Sequence, residues 1–125
     1  MGPGHFLWME LNTGDVLAAK DFFEKTIGWT FENMPVPEGD YWIAKANGQS
    51  IAGIVDLKAF SPPGSPPHWF SYLWVDDVDH RVKLAEAAGA NIKKQPFDIP
   101  GVGRIAIVQD PTGAYMGWMT PVPRS

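Results

Sequence analysis

Polar and apolar positions first alternate over residues 6–12, with Trp8, Glu10 and Asn12 on one side of the pattern and Leu7, Met9 and Leu11 on the other. A two-residue period of this kind is that of a strand with two distinguishable faces. The period then lengthens. Thr13 or Asp15 is placed to cap a helix whose Val16, Ala19, Phe22, Phe23, Thr26 and Ile27 form one apolar stripe, and Gly28 is placed to end it. Three short strands are predicted near 29–33, 41–46 and 50–57. Residues 35–40 separate the first two, and Asn47-Gly48, a strong hairpin signal, separates the last two.

Residues 61–67 carry four prolines and a glycine and can form neither helix nor central strand. This linker divides the chain into 1–60 and 68–125, and the second part repeats the order of the first. An aromatic and β-branched strand is predicted at 69–75, and Asp76 or Asp77 caps a helix with Val78, Val82 and Ala85 on one side. Gly89 stops that helix. Strands follow near 91–95, 104–109 and 114–119, the last two joined by the turn Asp110-Pro111-Thr112-Gly113. A slide of 62 residues sets Asp15-Val16 on Asp77-Val78 and Trp8 on Phe70. The expectation is a single α+β domain over 1–125, built from two tandem βαβββ modules. One helix cannot cover both faces of its sheet, so the sheets are expected to form a cupped mixed β-sheet with helices on the outer face and a shared cleft inside.

Composition narrows the function. The chain of 125 residues has no cysteine, which excludes disulfides, thiolate metal sites and a cysteine nucleophile. Its 14 acids against 10 bases leave a net charge of -4 with no basic run, so nucleic acid is not the expected partner. No segment approaches the ~20 apolar residues of a membrane helix. Residues 1–11 lack the basic stretch and apolar run of a secretory signal, so no membrane association and a cytoplasmic location are expected. Six Trp, seven Phe and three Tyr are more aromatics than so small a core requires.

The first strand leading into residues 11–32, the matching segment 71–92 and the closing segment 101–118 resemble the vicinal oxygen chelate superfamily of glyoxalases, bleomycin resistance proteins and extradiol dioxygenases. The motifs Ala18-Ala19-Lys20-Asp21-Phe22-Phe23, Val75-Asp76-Asp77-Val78-Asp79 and the 110–113 turn stand in order at the family's spacing. The resemblance implies paired βαβββ modules, a small organic ligand and a homodimer. It also implies one divalent metal, held by His, Gln or Glu on the first and last strand of each module. Carried over one at a time, those positions fall on Trp8, on Phe70, on Gly117 and on Ala52 or Gly53. None of these side chains offers a donor for a divalent cation. The expectation is therefore no metal cofactor. A slipped register would leave only Glu10 and His68 as an atypical pair.

The cleft lining expected from the strand alternation is aromatic and polar: Trp8, Glu10 and Asn12 from the first module, His68, Phe70, Tyr72 and Trp74 from the second. Rings with a few polar groups suit small-molecule recognition. Glu10 is the candidate general base, because a carboxylate among Trp8, Phe70 and Tyr72 would be desolvated and brought towards proton exchange near neutral pH. Tyr72 or His68 could hydrogen-bond a ligand oxygen. His5 and His80 are expected at the surface. The formal dinucleotide fingerprint at 101–106 leads into a strand and reads as a turn. Three function classes follow: a metal-free small-molecule binding protein, which is favoured; a glyoxalase- or lyase-type enzyme using Glu10 and His68; and an interaction scaffold.

Overall fold

In a computed structural model the structure describes residues 2–122. The described residues divide into two compact units, one formed by Trp8–Phe70 and the other by the segment up to Leu7 together with Ser71 onward. Each unit is a mixed four-stranded sheet with its own long helix, so the architecture is the expected α+β pair of βαβββ modules.

The first module contains β1 (Phe6–Thr13), α1 (Val16–Ile27), β2 (Thr30–Val36), β3 (Gly39–Ala46) and β4 (Gln49–Asp56), with sheet order β2-β3-β4-β1. The β1–β4 pair is parallel, and β2–β3 and β3–β4 are antiparallel. Asp15 caps α1 by accepting from the Ala18 amide at 3.0 Å, and Gly28 ends it in the left-handed conformation, φ 76°. Asn47 and Gly48 take φ of 53° and 77°, the two positive values that a tight hairpin turn requires. A short helix, α2 (Leu57–Phe60), follows β4; it was not expected from the pattern and is capped by Asp56.

The helix stripe differs from expectation. No α1 residue is fully buried, and Phe22 and Ile27 of the anticipated stripe are exposed. The partly buried positions are Val16, Ala19, Lys20 and Phe23. Their spacing of i, i+3, i+4, i+7 is one helical face, and at 3.6 residues per turn Phe22 cannot share it with Phe23. Lys20 fits this stripe because its Nζ lies over the Trp42 ring, 3.0 Å from the centroid. Phe23 packs against Trp29 and Trp69, with ring centroids at 4.8 and 6.0 Å.

The second module contains β5 (His68–Trp74), α3 (Val78–Ala87), β6 (Asn91–Ile99), β7 (Gly103–Gln109) and β8 (Tyr115–Pro121), in the order β5-β8-β7-β6. Here the predicted helix face holds: Val78, Val82 and Ala85 are buried, and Val75, Val78, Val82 and Ala106 make the core with Leu73, Ile92 and Trp118 packed on it. The Arg81 guanidinium grips both oxygens of Asp76 at 2.8 and 2.9 Å. Those hydrogen bonds hold the Asp76 carboxyl well below the usual range, at about 2. Arg104 of β7 reaches Asp79 and Asp98 and ties α3 to the sheet edge. Residues 101–102 form a turn into β7, as expected for the false dinucleotide fingerprint.

Candidate functional site

Pairing with β4 decides what stands beside each β1 side chain. Met9 lies opposite Ala52, Glu10 opposite Gly53, Leu11 opposite Ile54 and Asn12 opposite Val55. Strand alternation then assigns Trp8, Glu10, Asn12, Gly53 and Val55 to one face and Met9, Leu11, Ala52 and Ile54 to the other. From the far side of β4, Ile43 pairs with Gly53, so Tyr41, two residues away, shares the face of Glu10.

That face carries a hydrogen-bonded chain centred on Glu10. Tyr41 Oη donates to Glu10 Oε2 at 2.9 Å, and Asn12 Nδ2 donates to Oε1 at 3.4 Å. Behind these, Trp8 Nε1 donates to Tyr41 Oη at 2.8 Å and Ser61 Oγ donates to Asn12 Oδ1 at 3.0 Å. The indole N–H can only donate, so Tyr41 must accept from Trp8 and spend its own proton on Glu10. Glu10 and Asn12 are only 6% and 2% exposed. Burial favours a neutral carboxyl, whereas donors converging on both oxygens favour the carboxylate, so the surroundings of Glu10 are more polar than its aromatic neighbours suggest.

Gly53 makes this arrangement possible. A Cβ there would run into the hydroxyl and ring carbons of Tyr41, so the phenol lies in space that only a glycine leaves open. Tyr41 was missed from the sequence because nothing local marks it. Its one signal is alternation with Trp42 along β3, which sets a face but names no partner.

His68 is half-buried, with Nδ1 2.8 Å from the Pro66 carbonyl, an acceptor that places the ring proton on Nδ1. Phe70 is half-buried on the same strand. In the second module Tyr72 pairs with Gly117 and Trp74 with Met119, both half-buried. The register also settles the choice between Ala52 and Gly53. Glu10 beside Gly53 repeats as Tyr72 beside Gly117, with Glu10 and Tyr72 62 residues apart. Glu10 and Tyr72 are thus repeat partners, as the 62-residue slide implies. His5 and His80 are exposed, as expected. A groove of about 380 Å³ lies on the opposite, helix-bearing face of the first sheet, where Leu17, Trp42, Asp40 and Asp56 are among its lining residues; it contains none of the candidate site residues.

The donor set does not fit a divalent metal of the family type. Of the positions where the family resemblance implies ligands, Trp8, Phe70, Gly53 and Gly117 bring no donor side chain for a divalent cation, and the space over Gly53 is filled by Tyr41. Among the described residues no three His, Cys, Asp or Glu side chains come together as a metal cage.

The family model of the Glyoxalase/Bleomycin resistance protein/Dioxygenase superfamily matches residues 3–116, and the chain belongs to that family. It is 39% identical over 112 residues to the protein named "Putative glyoxylase CFP32" of Mycobacterium tuberculosis (strain CDC 1551 / Oshkosh), covering 88% of this chain and 43% of that protein. It is 32% identical over 124 residues to the anthracycline biosynthesis protein DnrV of Streptomyces peucetius, covering 90% and 45%. The chain therefore spans about half the length of these curated relatives. Its fold is similar to that of methylmalonyl-CoA epimerase from Mycobacterium tuberculosis, with a TM-score of 0.66 at 15% identity over 94% of this chain and 88% of that one. No helix among the described residues is long and apolar enough to cross a membrane.

Proposed function

We propose that this protein binds a small organic molecule on the sheet face that carries Trp8, Glu10, Asn12 and Tyr41, without a divalent metal. The observation that carries the reading is the Tyr41 phenol seated over Gly53. A position where the family resemblance implies a metal ligand has no side chain, and its space holds a ring hydrogen-bonded to Trp8 and Glu10. A fixed carboxylate beside two aromatic rings is suited to anchoring a hydrogen-bond donor on an aromatic or heterocyclic body. His68, Phe70, Tyr72 and Trp74 remain proposed ligand-binding residues, and the protein is proposed to act as a cytoplasmic homodimer. Neither Glu10-dependent proton transfer nor a Glu10–His68 metal pair is required by this reading.

Two measurements test it together. A thermal-shift screen of aromatic and heterocyclic compounds is expected to find a stabilising ligand, whose effect at 100 times its Kd amounts to about 2.7 kcal/mol and disappears in Glu10→Gln. Elemental analysis of chelator-free protein is expected to find no stoichiometric divalent metal. A bound metal that is lost in Glu10→Ala would overturn the reading, and light scattering at the mass of one chain would remove the dimer.

A further inference from the structure

We propose that Tyr41 is the positioning residue of the Glu10 site, replacing by a hydroxyl the contact that a last-strand side chain would make if Gly53 were a ligand. The inference rests on the reading of Glu10 as the polar anchor of the site. It stands on three independent features of the first module.

The first is steric: the ring occupies the volume of a missing Cβ at Gly53, so it is confined between β3 and β1. The second is the direction of its hydrogen bonds. Trp8 Nε1 can only donate, so the Tyr41 hydroxyl accepts from it at 2.8 Å and its single proton is committed to Glu10 Oε2 at 2.9 Å. The third is symmetry about the carboxylate. Ser61 and Asn12 form a second donor chain that ends on Oε1, so relayed donors reach both oxygens of Glu10. Successive hydrogen bonds polarise one another in the same direction, and a carboxylate held at both oxygens cannot rotate without breaking one chain. Tyr41 thereby sets both the orientation and the proton affinity of the anchor. A ligand meeting Glu10 finds an oriented acceptor, which favours N–H or O–H donors.

The test needs no ligand. With glutamate labelled at the side-chain carboxyl carbon, NMR titration follows Glu10 in the wild type and in Tyr41→Phe, which keeps the ring over Gly53 and removes only the hydroxyl. Loss of a donor to the charged form is expected to move the Glu10 midpoint upward by about one pH unit or more, and to shift the Trp8 indole N–H resonance, which loses its acceptor. A Glu10 midpoint unchanged in Tyr41→Phe overturns the proposal. Should Tyr41→Phe not fold, Trp8→Phe removes the donor behind the hydroxyl, and an upward shift smaller than that expected for Tyr41→Phe supports the proposal whereas none overturns it. The outcome is separable from the binding reading. A failed ligand screen leaves the titration standing, and an unchanged midpoint leaves ligand loss in Glu10→Gln to be judged by itself.

Discussion

Gly53→Ala isolates the geometry on which the site depends. Gly53 sits within β4 with φ outside the left-handed region, so alanine imposes no backbone strain and by itself would gain about 0.4–1 kcal/mol through the unfolded chain. Its Cβ, however, collides with the hydroxyl and two ring carbons of Tyr41, so the ring must shift. Forcing an extra methyl into a filled space costs roughly 1–3 kcal/mol. Expelling the phenol also breaks its bond to the Glu10 carboxylate, worth about 1.5–3 kcal/mol, and its bond from Trp8, worth about 0.5–1.5 kcal/mol. These terms overlap, because relieving the clash is what breaks the bonds. A net loss of about 2–4 kcal/mol is expected, read as the urea midpoint at unchanged slope. For a chain of this length that corresponds to a fall in Tm of roughly 6–20 °C. The control is the double-mutant cycle with Tyr41→Ala, in which the clash is absent and Gly53→Ala should cost nothing or stabilise slightly. Equal destabilisation by Gly53→Ala in both backgrounds would refute the reasoning, as would a wild-type midpoint with an unmoved Trp8 indole resonance.

Asp76 gives a pH prediction. Its folded value of about 2 lies below the ~3.9 of a free aspartate, so its contribution to stability is complete above ~4 and is lost as pH falls through about 2. An NMR titration should place the Asp76 midpoint there, and Arg81→Ala should raise it towards the unperturbed value. Because this pair is exposed, 1 M salt should weaken its effect. Lys20→Met should cost about 0.5–1 kcal/mol by removing the cation from the Trp42 face, with a change in tryptophan emission; an unchanged spectrum would place the ammonium elsewhere. Gly48→Val in the β3–β4 hairpin should destabilise by about 1 kcal/mol or more, since φ of 77° suits glycine, and a neutral result would mean a different turn.

The chain's own pattern determined the elements, the repeat and the family. Caps at Asp15 and Asp77, the left-handed stop at Gly28 and the Asn47-Gly48 turn are local, because each depends on residues within a few positions of one another. For the same reason the strand period could assign Trp8, Glu10 and Asn12 to a single face. It could not say which β4 residue stood beside Glu10. Register is fixed by pairing between strands some 40 residues apart in sequence, and a shift of one residue would have put Ala52 there in place of Gly53. The stripe on α1 was misread on a related ground. Helical spacing permitted several apolar faces, and contact with the sheet selected the one that includes Lys20 over Trp42. Tyr41 belongs wholly to tertiary structure: its role comes from a gap in one strand, an indole and a carboxylate in a second, and a ring carried by a third. Residue type supplied the chemistry, whereas the convergence of three strands decided that the Tyr41 phenol would stand beside Glu10.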